Sequence, residues 1–224
     1  MRLLCLQHDE IVVIGSQRIA ILGLYNSGST VLAGMLHRMG VNMGAPFWMT
    51  SEEDHDKNFY ESWGLSRQVR RWWAEPLAEQ RVPAAERIGF LQAWMALQEA
   101  ARPGPVGAKH PLLSLCAADL ATAWGPETCF VRAGRPLEES VDGLCRRSWF
   151  PGHEIALQTR LWDALAAFER SHPSVVTIDW NQVKSNPLSA ARDLASAVGL
   201  APTEEQLTAA ASLVRAPAPS LAAA

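Results

Sequence analysis

Short apolar runs alternate along the chain with longer segments whose apolar residues recur at helical spacing. Four runs have the length of buried strands and lie at 18–24, 106–109, 127–132 and 174–179. The helical segments lie at 27–39, 65–73, 86–101, 112–124, 136–147, 154–170, 187–199 and 204–214. Strands that alternate with helices predict a three-layer α/β fold, in which helices flank a central parallel β-sheet.

Three segments stand apart from this alternation. Residues 41–65 are rich in polar and aromatic side chains without a clear period, so we expect them to be irregular. Residues 11–14 are a further candidate strand. The tail at 215–224 contains two prolines and five alanines and is expected to be disordered, which leaves 1–214 as a single domain.

The composition narrows the class of protein. Apolar residues make up 48% of the 224 residues and charged residues 19%, as in ordinary soluble proteins. No stretch approaches the roughly 18 uninterrupted apolar residues of a membrane span, and we recognise no signal peptide. The net charge of −3, without a long basic run, argues against nucleic acid as a partner. We expect a cytoplasmic protein, and the oligomeric state stays open.

The cysteines and histidines give no sign of a metal site. Cys5, Cys116, Cys129 and Cys145 are widely spaced and form no CxxC pair. The six histidines lack a metal-binding spacing such as HExxH. We therefore expect reduced thiols and no metal cofactor.

A polar, glycine-containing turn, YNSGST, links the first predicted strand to the first helix. Such a turn presents unpaired N–H groups and a partial positive charge, which together favour a bound phosphate. The spacing from Gly23 to Gly28 matches the start of the nucleotide-binding pattern GxxxxGK[ST], but Ser29 stands where the lysine belongs. The alternative is a plain strand-to-helix turn without a ligand.

A second candidate anion site lies in the segment FVRAGRPLEESVDGLCRR. Arg132 is expected at the carboxyl end of a strand, where open α/β sheets bind ligands. Ser140 follows eight residues later in the next helix. An arginine and a serine in this arrangement can bind one phosphate together, because arginine supplies a charged fork of donors and serine a neutral donor.

These motifs resemble the sulfotransferases that use 3′-phosphoadenosine 5′-phosphosulfate, and in particular the small bacterial ones. The resemblance spans roughly residues 18–200 and includes the loop NSGST, the Arg-x7-Ser spacing and the late segment TIDWNQVKSNPLSAARDLASAVGL. It implies a P-loop-type fold and transfer of a sulfuryl group to a hydroxyl or amine of a small-molecule or carbohydrate acceptor, which would be the partner of this protein.

The resemblance also assigns residues to the donor. Those implied to surround the 5′-phosphosulfate are Asn26, Ser27, Gly28, Ser29 and Thr30. Those implied to hold the 3′-phosphate are Arg132 and Ser140.

One position departs from the family pattern. Family members carry Arg or Lys directly before the Ser-Gly of the loop, where this chain has Asn26. Loss of that charge would cost several kcal/mol of transition-state stabilisation, or on the order of 10²–10³ in rate. Lys109, in GAKHP, is our candidate for a replacement cation, and an exposed lysine after a strand is the alternative.

Acceptor chemistry is expected in the polar region 44–65. A base must take the acceptor proton, and we favour Glu61, in Phe59-Tyr60-Glu61, with His55 as the second candidate. Four tryptophans are candidates to stack on a ligand or to pack in the core: Trp72, Trp73, Trp94 and Trp149.

Two other functions remain open. The chain could be a small P-loop kinase, with Asp179 holding magnesium, although Ser29 replaces the lysine that kinases of this type require. It could also be a nucleotide-binding member of the same fold without catalytic activity, which Asn26 favours.

Overall fold

The central sheet of the protein is parallel and has four strands. The computed structural model describes residues 17–49, 58–73 and 82–214. Its strands are β1 (Arg18–Leu22), β2 (Phe47–Met49), β3 (Asn58–Ser62), β4 (Val106–Lys109), β5 (Cys129–Gly134) and β6 (Val176–Asp179). The parallel sheet has the order β4-β1-β5-β6. All of β4 and all but the first residue of β1 are buried, which explains why both read as continuous apolar runs.

Helices follow or precede each strand of this sheet. They are α1 (Ser29–Arg38), α2 (Trp63–Trp72), α3 (Ala84–Ala101), α4 (Ala117–Trp124), α5 (Leu137–Cys145), α6 (Glu154–Ser171), α7 (Trp180–Ser185), α8 (Pro187–Ala197) and α9 (Glu204–Ala211). Local signals start several of them: the Thr203 side chain and Gln206 form a capping box for α9. None of these helices is long and apolar enough to cross a membrane, within the residues described.

The two faces of the sheet belong to two separate apolar cores. Ala20 and Leu22 of β1 face a core formed with α3, α4 and α6. Ile19 and Ile21 face the opposite core, which contains apolar residues of α1, α8 and α9. Alternate residues of one strand thus enter different layers. This arrangement confirms the predicted α/β fold with helices on both faces of a parallel sheet.

The predicted irregular region at 41–65 contains a hairpin, so that prediction was wrong for its described part. Strands β2 and β3 pair antiparallel, with Phe47 opposite Ser62 and Met49 opposite Asn58. The register shifts between these two pairs, and Tyr60 has a φ of +51°. Such a distortion breaks the alternation of inward and outward residues, which is why no strand period is visible in the sequence.

Other differences concern the ends of elements. The helix predicted at 112–124 is a 3₁₀ helix, Pro111–Cys116, followed by α4. Helix α7 was missed; the Asp179 carboxylate caps it by accepting hydrogen bonds from two backbone N–H groups. Strand β5 continues to Gly134, so Arg132 does not lie at its end. The candidate strand at 11–14 and the tail at 215–224 lie outside the described residues.

Candidate functional site

The loop at Gly23–Gly28 joins β1 to α1 at the carboxyl edge of the sheet, where ligands bind in such folds. Gly28 precedes α1 with a φ of +91°, and a Cβ atom there would lie 2.4 Å from a ring carbon of Trp180. Only glycine fits this position. In the described part of the chain no side chain caps α1, so the N–H groups of its first turn point to a site suited to an anion.

Buried side chains from other elements fix the shape of this loop. Ser114 Oγ accepts a hydrogen bond from Gly23 N–H (3.0 Å) and donates one to Gly23 C=O (3.1 Å). Gln158, fully buried on α6, accepts from Tyr25 N–H (3.1 Å) and donates to Tyr25 C=O (2.8 Å). The Ser27 hydroxyl donates to Leu24 C=O (2.8 Å). The loop is therefore held in one conformation by neutral hydrogen bonds.

Lys109, Thr30 and Glu61 lie together beside the loop. Lys109 ends β4, and its ammonium donates to Thr30 Oγ1 at 3.0 Å and to Glu61 Oε1 at 2.5 Å. Lys109 is only 3% exposed and Glu61 4%. The alternative of an exposed lysine is therefore wrong, and the fold brings the candidate cation and the candidate base into contact.

Electrostatics keep the Glu61 carboxyl ionised. Burial by itself would raise the pKa of Glu61, but the Lys109 ammonium and the Arg70 guanidinium lower it below the ordinary value. The result is a desolvated carboxylate whose charge is balanced by a neighbouring ammonium. Such a pair can exchange a proton with a group that enters the site.

His110 completes this cluster and was missed by the sequence reasoning. Its Nδ1 accepts a hydrogen bond from Leu112 N–H at 3.1 Å, so the neutral ring carries its proton on Nε2. Nε2 lies 3.7 Å from Glu61 Oε2. Burial, Arg70 and Lys109 lower the pKa of His110 to about 4 against the opposing effect of Glu61. Adjacency to Lys109 was the only available signal in the sequence.

Asn26 lies in the loop with a φ of +59°. Its amide packs so tightly on α5 that a Cβ on Gly143 would lie 1.4 Å from Asn26 Nδ2. The backbone carbonyl oxygen of Asn26 accepts a hydrogen bond from Arg135 Nη1 at 2.7 Å. Arg135 follows the last residue of β5 and was not among the residues predicted for the site.

The two residues predicted to share a phosphate have separate surroundings. Arg132 Nη1 lies 2.6 Å from Glu169 Oε2, and its guanidinium lies 4.6 Å from the centre of the Trp162 ring. Ser140 is fully buried on α5; its carbonyl accepts from Gln158, and its hydroxyl has no hydrogen-bond partner among the described residues. An unpartnered buried hydroxyl is unusual and is consistent with a ligand-binding role.

A groove lies beside Trp180, whose ring packs on Gly28 of the loop. It has a volume of about 670 Å³ and is lined by Val31, Trp180, Asn181, Lys184, Ser185, Leu213 and Val214. It is largely apolar with one cation, and the Trp180 indole that packs on Gly28 forms part of its wall. Asp179, the residue considered for magnesium, is occupied in capping α7.

The aromatic candidates divide between core and surface. Trp72, Trp73 and Trp94 are each 5% exposed and belong to the core, whereas Trp149 is 44% exposed. Trp149 packs edge-on against Phe59 near Lys109. His55, the second candidate base, lies outside the described residues.

Solved structures with a similar fold include three bacterial sulfotransferases. The chain matches a sulfotransferase from Mycobacterium avium with a TM-score of 0.63 and 11% identity, covering 88% of this chain and 67% of that one. A sulfotransferase from Mycobacterium tuberculosis matches with a TM-score of 0.59 and 16% identity, and the match covers 87% of this chain and 70% of that one. The sulfotransferase domain of the Synechococcus olefin synthase matches with a TM-score of 0.54 and 16% identity, and the match covers 86% of this chain and 76% of that one.

Comparisons of sequence add no relative to these. No protein-family model and no curated protein matches the chain. The structural likeness nevertheless covers most of the chain and agrees with the resemblance seen in its motifs. The chain therefore has the fold of the bacterial sulfotransferases.

Proposed function

We propose that this protein transfers a sulfuryl group from 3′-phosphoadenosine 5′-phosphosulfate to a hydroxyl or amine of a small molecule or carbohydrate. One observation carries the proposal: the buried ammonium of Lys109 contacts both Thr30, in the first turn of α1 after the phosphate loop, and the carboxylate of Glu61. A cation and a base are the two groups that this reaction needs beside an anion-binding loop.

The surroundings of the loop fit such a donor in one orientation. The start of α1 and Gly28 would receive the phosphosulfate, with Asn26, Ser27, Ser29 and Thr30 around it. The groove beside Trp180 would take the adenosine, because an indole offers a flat face to a base. The sulfuryl group would then face Lys109 and Glu61.

The residues have complementary roles in the transfer. The donor supplies the sulfuryl group: its sulfur–oxygen bond to phosphate breaks as sulfur bonds the acceptor atom. Glu61 takes the acceptor proton, and Lys109 stabilises the negative charge that develops on the phosphate side. His110, neutral and fixed in one tautomer, faces Glu61 and adds no charge to the pair.

Arg132 and Ser140 remain the residues proposed for the 3′-phosphate. Arg132 would exchange its contact with Glu169 for the phosphate, and the Ser140 hydroxyl would gain a partner. Both changes are chemically reasonable, since a guanidinium binds carboxylate and phosphate with the same geometry.

Ligand-induced stabilisation tests the proposal directly. At a concentration of ~100 times its dissociation constant, adenosine 3′,5′-bisphosphate adds about 2.7 kcal/mol, which corresponds to a rise in melting temperature of about 5–11 °C for a chain of this size. A rise with ATP and magnesium but not with the bisphosphate would refute the proposal in favour of a kinase. A rise with the bisphosphate but no turnover of any acceptor would favour a binding protein.

A separate variant tests the role proposed for Arg132 and Ser140 at the 3′-phosphate. Arg132→Ala is expected to abolish the bisphosphate-induced shift while Arg192→Ala, which removes an arginine from an exposed ion pair with Glu204, leaves it unchanged. An unchanged shift in Arg132→Ala would mean that another residue binds the 3′-phosphate.

A further inference from the structure

The phosphate loop lacks a charge of its own at Asn26, and the structure gives a physical reason why that residue cannot serve as an anion ligand through its side chain. The amide is packed against Gly143 of α5, where there is no room even for a Cβ atom. A side chain in that position is turned toward the helix for packing. Any positive charge at this part of the loop must therefore come from another segment.

Arg135 lies where such a charge is needed. It follows β5 directly, and its Nη1 donates to the carbonyl oxygen of Asn26 at 2.7 Å. Its side chain is 16% exposed, so solvent screens its charge less than that of a surface arginine. The arginine therefore contacts the backbone of the residue where the loop lacks a cation.

The other cations near the loop are more fully neutralised. Lys109 is in contact with the buried carboxylate of Glu61 at 2.5 Å, and Arg132 with Glu169 at 2.6 Å. Within the described part of the chain, the carboxylate that pairs with Arg135 is that of Glu139 at 3.2 Å, whose side chain is 43% exposed. Exposed pairs of this kind are weak, so the charge of Arg135 remains available to an anion in the loop.

We propose that Arg135 supplies, from the end of β5, the positive charge that the phosphate loop lacks at Asn26. It acts as a positioning residue: it fixes the Asn26 carbonyl and places a guanidinium beside the bound anion. The identification of the anion as a phosphosulfate rests on the function proposed above, whereas the anion-binding role of Arg135 does not.

Two probes separate these statements. Inorganic pyrophosphate reports on the loop alone, and adenosine 3′,5′-bisphosphate reports on the sulfotransferase donor site. Dissociation constants for both are measured by calorimetry on the full chain at several salt concentrations. Arg135→Gln is expected to weaken pyrophosphate binding roughly 10- to 100-fold and to reduce its salt dependence, because a cation near the anion is lost.

Matched variants distinguish charge from structure. Arg135→Lys keeps the charge and should recover most of the affinity, and Glu139→Gln should bind as tightly as the wild type or slightly tighter. Gln158→Leu loosens the same loop without changing any charge, so it should weaken binding while the salt dependence stays that of the wild type. Thermal unfolding without ligand verifies that each variant is folded.

The outcomes are distinct. Wild-type salt dependence and affinity in Arg135→Gln would overturn the inference, as would a loss that Arg135→Lys fails to reverse. Absence of pyrophosphate binding by the wild type would overturn it as well. Binding of pyrophosphate with the expected effects of Arg135→Gln, but without binding of the bisphosphate, would support the inference and refute the proposed function alone.

Discussion

Acidification is expected to destabilise this protein through His110, before the carboxyl groups begin to titrate. The pKa of His110 is lowered from 6.5 to about 4, chiefly by complete burial. Protonation would also require a hydrogen on Nδ1, which already accepts a hydrogen bond from Leu112 N–H. Between these two pKa values the unfolded chain binds a proton that the folded protein excludes.

The magnitude follows from linkage. A histidine whose folded pKa is lowered contributes no penalty above its unfolded pKa, and the penalty grows as pH falls through 6.5 toward 4. The difference amounts to about 2 kcal/mol at pH 5. For a chain of this size it corresponds to a fall in melting temperature of about 4–8 °C relative to neutral pH.

The comparison with His110→Asn isolates this residue. An asparagine oxygen can accept the hydrogen bond from Leu112 N–H, but the side chain does not titrate. Melting temperatures are measured by circular dichroism from pH 7.5 to pH 5 at constant ionic strength. The variant should lose about 4–8 °C less than the wild type over this range. His153→Asn, at an exposed position before α6, is the control and should follow the wild type.

Equal losses in the wild type and in His110→Asn would refute the reasoning. That result would mean that the His110 ring is hydrated or protonated in the folded protein. The lowered pKa of His37, which is half-buried, adds to the pH dependence of all three proteins and cancels in the comparison.

Three further experiments test the construction of the site. Gly28→Ala should lower the midpoint of denaturant unfolding, because its Cβ would lie 2.4 Å from the Trp180 ring at a φ of +91°; a wild-type midpoint would contradict this packing. Lys109→Met leaves the Glu61 carboxylate buried without its partner and should cost about 3–5 kcal/mol of unfolding free energy; adding Glu61→Gln should recover much of it, and purely additive losses would argue against the pair. Gln158→Leu should cost about 1–3 kcal/mol and speed amide hydrogen exchange in the loop; unchanged exchange would show that the amide does not hold the loop.

Local pattern was sufficient to predict the main elements of the fold. The strand at 106–109 has the predicted bounds, and α6 and α8 differ from their predicted ranges by a residue or two. These elements can be predicted from the spacing of apolar residues and from capping residues, because both signals come from residues that are close together in the chain. The hairpin β2–β3 lacks such a period because its register shifts, and only the pairing of its strands reveals it.

The candidate site also combines residues that the sequence reasoning identified with contacts that only the structure reveals. The spacing of the loop was enough to indicate a candidate phosphate site without a lysine, and the resemblance to sulfotransferases marked Lys109 and Glu61 as candidates. Their contact could not be read from the sequence, because it joins residues 48 positions apart in β3 and β4. Nor could Gln158, Ser114 or Arg135 be found, since each acts on the loop from a distant helix or strand end.

The sequence by itself thus determined which chemical groups are present and in which elements they lie. The tertiary structure decided which charges meet: Lys109 with Glu61, Arg132 with Glu169, and Arg135 with the carbonyl of Asn26. The physical reason is that tertiary packing brings elements distant in sequence together: β3 lies beside β4, α6 beside β5, and the loop after β1 beside the end of β5. The short distances and the exclusion of water there make the interaction of charges strong.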